Sequence, residues 1–429
     1  MKTDEKKGVF VFEQQDAPAK ESCLYSEHIK LVDKSRLAAF AGFLMPLWYS
    51  SVSEEHQAVR NTAGLFDCSH MGVLEAVGPE AFGFLNTVFT NDLAKVNDGG
   101  AQYGYILDAA GNVLDDIIIY RRTEQKFMVV VNAVNEPKIK AYFNALIKGK
   151  AIIDAENPKR KLEFRPGIRD MRDTSSGSDC RVDLALQGPR SLDIILALIK
   201  DEQVKDKIGE LKPFKFVETD IEGIECIVSR TGYTGAGVGF EIYVHPEKAP
   251  RIWSAVLRTG SSFGLRPCGL GARDSLRIEA GLPLYGHELA GEYNISPFEA
   301  GYGFAVKLQK EFFIGKAAMQ RESEQYNMEI ARLEFPGEKG VRPIRQNDGL
   351  LSGSGECIGW VLSCAKVGDK QIGLALVARG ALKQSDAAGL YYLARNESQR
   401  QKGKKIKVEK AEVLQADIAG TTLSRFAKF

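Results

Sequence analysis

AQYGYILDAAGNVLDDIIIYRRTEQKFMVVVNAVNEPKIKAYFNALI, residues 101–147, is the stretch whose reading decides the fold. Two runs rich in aromatic and β-branched residues, Ala101–Leu107 and Val113–Tyr120, flank the turn sequence DAAGN, so they read as paired strands. FMVVVNA at 127–133 makes a third strand, and from Glu136 to about Ile147 the apolar period lengthens to that of a helix. Just upstream, Gly72–Val77 reads as a strand, and Pro79 stands at the first turn of a helix, EAFGFLNTVFT, that stops before Asn91 and Asp92. The same grammar recurs downstream. VDLALQG is a strand, Pro189 to about Ile199 a helix, FVETDIEGIECIVSRTG a hairpin, FEIYV a strand, and Ala249 to about Thr259 a helix. Strand–helix–hairpin–helix–strand units of this kind predict an α+β architecture with two split-βαβ halves.

Further out, SVSEEHQAVRNTAG (51–64) predicts a helix with Ser51 or Ser53 as N-cap and Gly64 at its end. Before it, residues 37–49 (LAAFAGFLMPLWY) are apolar and aromatic, with Pro46 forbidding a continuous helix. Between the two halves, Asn157–Arg181 is polar and basic (Lys159, Arg160, Lys161, Arg165, Arg169, Arg172) and reads as an exposed insertion, with docking of an acidic partner as the alternative. Beyond residue 311, short strands with Gly turns (IGWVLSC, QIGLALV, GLYYLA) predict a small β-barrel or sandwich. The Lys-rich QRQKGKKIKVEK reads there as a strand pair around a charged turn; no aromatics interleave with its lysines, as a nucleic-acid arm would require. The expected division is 20–310 for the two α+β halves and 311–429 for the barrel.

A chain of 429 residues exceeds the ~250–300 at which one core stops growing, so several packed units are expected. Lys+Arg 57 against Asp+Glu 56 leaves a net charge of +1, with no global field to attract nucleic acid or an anionic membrane. No apolar run is long enough to span a bilayer, the first residues have neither signal- nor transit-peptide character, and cytoplasm is the expected location. Seven scattered cysteines, never closer than seven residues apart, exclude CxxC spacing and read as reduced, mostly buried thiols. No internal repeat, P-loop, HExxH or GxSxG is present, and no metal is expected. GYTGAGVGFE (232–241) is glycine-rich but lies between two strands, so no helix N-terminus waits for a pyrophosphate; it reads as a tight loop presenting Tyr233 and Glu241 to a flat ligand. The five histidines show no metal-ligand pair on one helix and read as structural.

Asp92, in FTNDL, ends an apolar helix beside aromatic residues. It reads either as a turn-forming cap or as a desolvated carboxylate able to accept a proton. Arg273 and Arg277 stand four apart on a helix with Asp274 and Glu279 nearby, the ordinary pattern of surface ion pairing.

Five blocks in order change the weight of these residues: MPLWYSS…EHQAVRNTAGLFDCSHMG (45–72), TNDL (90–93), SRTGYTG…GFEIYV (229–244), GLRPCGLGARDSLRIEAGLPLYGHEL (264–289) and FIGKAAM (313–319). Together they resemble the tetrahydrofolate-dependent aminomethyltransferase family, the T-protein of the glycine cleavage system. The likeness is clear over about 24–320 and weak over 330–395. It implies a three-domain cloverleaf, two interleaved α+β domains and a C-terminal β-barrel around a central folate pocket. It further implies tetrahydrofolate as co-substrate and a lipoylated carrier (H-protein) as partner, whose aminomethyl group gives up ammonia while its one-carbon unit passes to folate. By motif, Asp92 falls on the catalytic aspartate, Glu241 on the acid that grips the pteridine's amino-pyrimidine edge, and Arg273 on the arginine of the same pocket. Met71 and Phe304 match apolar pocket positions, and Tyr233 is a further folate contact. The sequence departs from the pattern at Ala236, where GYTG is usually followed by glutamate, in one extra residue before GFE, and at Leu362-Ser363-Cys364, which replaces the usual barrel turn. Two alternatives keep the scaffold, a folate-dependent demethylase of a small methylated compound and a non-catalytic folate-binding relative; the K-G-C-Y-x-G-Q type motif of the latter is absent.

Overall fold

The structure, a computed structural model, describes residues 10–14 and 17–429. It divides into two compact units. One holds the chain up to Gly232 with Ala236–Arg273 and Ala305–Arg321; the other holds Tyr233–Gly235, Asp274–Phe304 and Glu322–Phe429.

In the first unit, β1 (Lys20–Glu21), β2 (Leu37–Phe40) and β3 (Phe43–Pro46) form a small sheet of order β1-β3-β2. β4 (Ala63–Asp67) and β5 (Gly72–Val77) then enter different sheets. β6 (Gly100–Leu107), β7 (Val113–Thr123), β8 (Lys126–Val131) and β9 (Gly167–Asp170) join β5 in the order β6-β7-β8-β5-β9. β10 (Val182–Gln187), β11 (Phe216–Ile221), β12 (Ile224–Ser229), β13 (Gly239–Val244) and β14 (Leu265–Cys268) join β4 in the order β11-β12-β13-β10-β4-β14. The two sheets are therefore interleaved in sequence, which the recurring grammar of two successive halves does not express.

Strand alternation sets the layers. Ile117 and Ile119 of β7 turn inward against Phe84, Leu85 and Val88 of the helix Ala81–Val88 and Ile139, Tyr142 and Phe143 of the helix Glu136–Ile147. Leu65, Leu184, Phe240 and Ile242 of the second sheet pack likewise under Ile194, Ile252, Trp253 and Val256 from the helices Ser191–Leu198 and Ala249–Gly260. Each such side chain, once buried, contributes about 2 kcal/mol. The opposite faces of the two sheets meet each other: Val73, Tyr120, Met128 and Val130 pack against Ile227 and Tyr243. The result is helix, sheet, sheet, helix, with the sheet–sheet seam free to carry polar chemistry.

In the second unit, β15 (Met328–Pro336), β16 (Gly349–Leu351), β17 (Cys357–Val367), β18 (Lys370–Ala378), β19 (Ala387–Tyr391) and β20 (Ile418–Leu423) close a barrel in the order β15-β18-β17-β16-β19-β20. The multi-domain α+β class with a strand-rich end stands as read. No helix of the described residues is long and apolar enough to cross a membrane.

Several local expectations are corrected. Ser51 does cap the helix Val52–Asn61, accepting from Glu54 N at 3.2 Å, but that helix stops at Asn61; Gly64 lies in β4, where Val59 and Cys268 leave no room for a Cβ. Residues 37–46 form the β2–β3 hairpin, turned at Ala41 and Gly42, both with positive φ. Segment 157–181 is exposed over 157–161, as expected, but it is not wholly a solvated insertion. It supplies β9, and its guanidiniums are used internally: Arg169 on Glu75 and Asp179, Arg172 on Glu136, buried Arg181 on Glu225, and Arg160 stacked 3.5 Å over the Phe312 ring. The Lys-rich stretch holds the end of a short helix, Glu397–Gln401, followed by irregular chain, because ion pairs such as Lys404–Asp417 (2.5 Å) satisfy it without a strand partner. Leu362-Ser363-Cys364 lies inside β17 at a register shift, not in a turn. Helix Glu202–Gly209, capped by Asp201, was not expected.

Candidate functional site

The seam between the two sheets of the first unit gathers most of the chemistry. On the second sheet the pairings Asp183↔Tyr243 and Ala185↔Glu241 put all four side chains on the seam face. Glu241 is 9% exposed. Its Oε2 accepts from the Thr231 hydroxyl, from Tyr120 Oη at 3.2 Å and from Tyr243 Oη at 3.3 Å, while Tyr120 and Tyr243 share a 2.9 Å bond. Burial, with the Glu241 charge adding, holds both phenols well above their usual range, so they stay as donors around a carboxylate.

Arg273 lies at the rim of the same group. Its Nη1 donates to Cys68 Sγ at 2.8 Å. Its helix, Leu270–Ala280, is fixed at its start: buried Glu55 accepts from Gly269 N (2.8 Å) and from Tyr49 N and Ser50 N (2.6 and 2.9 Å), and Gly271 N donates to Leu47 O at 2.9 Å. Burial pushes the Cys68 thiol well up although Arg273 opposes it, and burial with the Arg273 charge lowers His70 to about 3, so neither ionises near neutrality. Met71 packs half-buried against the seam beside Tyr120 and Tyr243.

Four residues before Tyr120 on β7, and so on the same face about 13 Å along the strand, sits half-buried Asp116. Its Oδ2 accepts from Tyr103 Oη at 3.0 Å and its Oδ1 from Asn132 Nδ2 at 2.7 Å. Burial pushes its carboxyl up to about 6. Asp115, on the opposite, helix-facing side, is fully buried; it accepts from Asn132 N (3.0 Å), Asn132 Nδ2 (2.9 Å) and Asn135 Nδ2 (2.5 Å), and burial followed by the Asp116 charge pushes it up to about 8.

Asp92 has a different setting. It caps the turn Leu93–Lys95, accepting from Ala94 N at 3.2 Å, just past the edge strand β6, to which Asn91 is tied by Nδ2 on Tyr103 O (2.8 Å). Below it, Lys310 Nζ donates to the carbonyls of Asn86, Phe89 and Asn91 at 2.6, 2.6 and 2.8 Å. Of the two readings of Asp92, the capping hydrogen bond is present, made by Oδ1.

The first unit thus brings Glu241, Arg273 and Met71 together on one seam. Tyr233 and Phe304 belong to the second unit: Tyr233 Oη donates to Pro283 O at 2.6 Å, and Phe304 is 61% exposed with its ring 5.2 Å from Tyr302. Arg277 is no surface ion pair. It is buried between Glu288 (2.5 Å) and Asp274 (2.8 Å), and Glu288 also accepts from Ser363 of β17. Sequence reasoning passed over Asp116, Asp115, Asn132, Tyr103 and Tyr120. The available signal was two adjacent acids, Asp115 and Asp116, inside a β-branched run where neither belongs unless it works. Among the described residues no cluster has the makings of a metal site.

The family model described as the GCVT N-terminal domain matches residues 25–310, about two thirds of the chain. The aminomethyltransferase of Desulfitobacterium hafniense (strain Y51) is 42% identical over 305 residues, covering 71% of this chain and 75% of that protein. That of Symbiobacterium thermophilum is 43% identical over 309 residues, covering 71% and 76%. Among solved structures, the glycine cleavage system aminomethyltransferase T from Bartonella henselae superposes with a TM-score of 0.72 at 28% identity, over 94% of this chain and 97% of that one. With these matches across most of its length, the chain belongs to the GCVT aminomethyltransferase family.

Proposed function

We propose that this chain transfers the one-carbon unit of an aminomethyl group, carried on the lipoyl sulfur of a carrier protein, to tetrahydrofolate with release of ammonia. Two bonds form, from the carbon to two folate nitrogens, and two break, C–S and C–N. The protons leaving the folate nitrogens end on the thiol and on ammonia. Glu241, kept as an acceptor by its ring of hydroxyl donors, suits the N–H groups of an amino-pyrimidine edge. Arg273 sets the charge balance beside it. Met71 supplies apolar wall.

The observation that carries this reading is Asp116: a half-buried carboxylate with proton affinity raised to about 6, on the strand face that leads to Tyr120 and Glu241. The geometry favours it over Asp92 as the group that takes the folate proton and steadies iminium-like positive charge. Single-turnover assay with aminomethyl-loaded lipoyl carrier, following ammonia and methylene-tetrahydrofolate together, tests both. Asp116→Asn is expected to slow turnover by at least about 100-fold, roughly 2.7 kcal/mol, with folate affinity within about tenfold. Asp92→Ala should slow it far less; the reverse ranking returns the role to Asp92. Wild-type protein that binds folate yet forms neither product would sink the aminomethyl donor.

A further inference from the structure

Asp115 stands on the helix-facing side of β7 in line with Ile117 and Ile119, fully buried, where an aliphatic side chain would suit the core better. What the acid supplies instead is a set of directed bonds to one turn. Asn132, the first residue after β8, and Asn135 belong to that turn, which is closed by Asn135 N on Asn132 O at 2.9 Å. Asp115 Oδ2 accepts from Asn132 N at 3.0 Å, and its Oδ1 accepts from Asn132 Nδ2 at 2.9 Å and from Asn135 Nδ2 at 2.5 Å. One carboxyl group thus holds Asn132 both at its backbone and at the tip of its side chain.

The β7–β8 register, Ile118↔Val130, continues to place Asn132 beside Asp116. Asn132 Nδ2 carries two hydrogens and has three acceptors in reach: Asp115 Oδ1, Asp116 Oδ1 at 2.7 Å and Asp116 O at 3.1 Å. Both hydrogens are committed to the two neighbouring acids, so the carboxamide cannot turn without releasing one of them. The other oxygen of Asp116, Oδ2, accepts from Tyr103 Oη at 3.0 Å. Each oxygen of Asp116 therefore has one side-chain donor, which sets the plane of the carboxylate and leaves lone pairs for an incoming N–H.

We propose that Asp115 is a positioning residue for Asp116: by fixing the Asn132 carboxamide at backbone and side chain, it holds the Asp116 carboxylate at the angle that proton transfer requires. The inference rests on the reading of Asp116 as the group that takes the folate proton, and goes beyond it by assigning what orients that group. Asparagine at 115 keeps the shape but can accept on one side only, because its amino group turns a donor toward a donor. The Asn132 anchor is then lost on one side, and a misplacement of about 1 Å at a reacting group costs on the order of 100-fold.

The test is a double-mutant cycle on the whole chain, read as the single-turnover rate constant at saturating tetrahydrofolate and aminomethyl-loaded lipoyl carrier. Asp115→Asn alone is expected to slow the step about 30-fold, with folate affinity within about threefold. In an Asp116→Asn background the same change should cost no more than about threefold, because what it orients is already gone. If Asp115 only fastens β7 to the turn after β8, the two losses multiply; a further loss above about threefold in that background overturns the inference. Asn132→Ala, at a half-buried position that tolerates truncation, carries the same cycle should Asp115→Asn fail to fold, and a wild-type rate in Asn132→Ala overturns the inference as well. A slow Asp116→Asn beside a wild-type rate for Asp115→Asn overturns this inference alone. Wild-type turnover in Asp116→Asn overturns the reading of Asp116 and this inference with it.

Discussion

Asp116 and Asp92 show how one residue type takes opposite duties. Asp92 accepts a backbone N–H at a turn through Oδ1, whereas Asp116 receives a phenol from β6 and an amide from Asn132, just past the end of β8, inside a half-buried seam. The proton affinity of Asp116 makes a checkable statement about pH. A base must be ionised to accept a proton, so activity falls as pH drops through the pKa of the free enzyme's carboxyl. With Asp116 raised to about 6, kcat/KM is expected to lose about tenfold per pH unit below about 6. An ordinary carboxylate in that role would place the limb near ~4. A pH profile of kcat/KM between 4 and 8 decides, and a limb near 4 removes Asp116 from the chemistry.

At the scale of elements, the end of the helix Ala81–Val88 is held by a side chain far along the sequence. Lys310 lies 8% exposed and donates to three carbonyls at or just beyond that terminus, where the helix dipole favours a cation. Lys310→Met keeps the volume and leaves those carbonyls without the ammonium. It should destabilise the protein by about 3 kcal/mol, read as a shift in the urea midpoint at constant m; a shift below a third of that would show the carbonyls find other donors. The turn after β10 has a similar dependence on one atom. Gly188 has φ +124°, and a Cβ there would lie 2.7 Å from the carbonyls of Val59 and Thr62, so no other residue fits where β10 passes into the next helix.

For the whole molecule, the two units have separate means of cohesion. In the unit that holds the barrel, Arg277 is buried against Glu288, which in turn takes the hydroxyl of Ser363 on β17. Removing Glu288 leaves the buried guanidinium with only the half-exposed Asp274 as counter-charge, a loss of about 3 kcal/mol. Glu288→Gln is therefore expected to weaken amide-exchange protection in the barrel strands while β7 and β13 of the other unit keep theirs. Equal loss in both units would show that they unfold as one.

Much was legible without coordinates. Alternation of apolar and polar residues has the period of a strand and a cap has a local signature, so Gly72–Val77, Glu136–Ile147 and the Ser51 cap were read from neighbours in the chain. The ordered motifs around Glu241 and Arg273 carried the family for the same reason: their spacing is a property of the chain. What the chain could not express is the value of a carboxyl group whose partners come from elsewhere. Asp92 and Asp116 are alike in sequence. Only the fold gives one a turn to cap and the other Tyr103 and Asn132 in a sheltered seam. The later part of the basic segment 157–181 escaped the sequence on the same ground, since the acids that pair with Arg169, Arg172 and Arg181, namely Glu75, Glu136 and Glu225, arrive from distant strands and helices. Sequence determined the elements and the family; tertiary structure decided which charges are buried, because desolvation depends on what packs nearby and not on what precedes or follows in the chain.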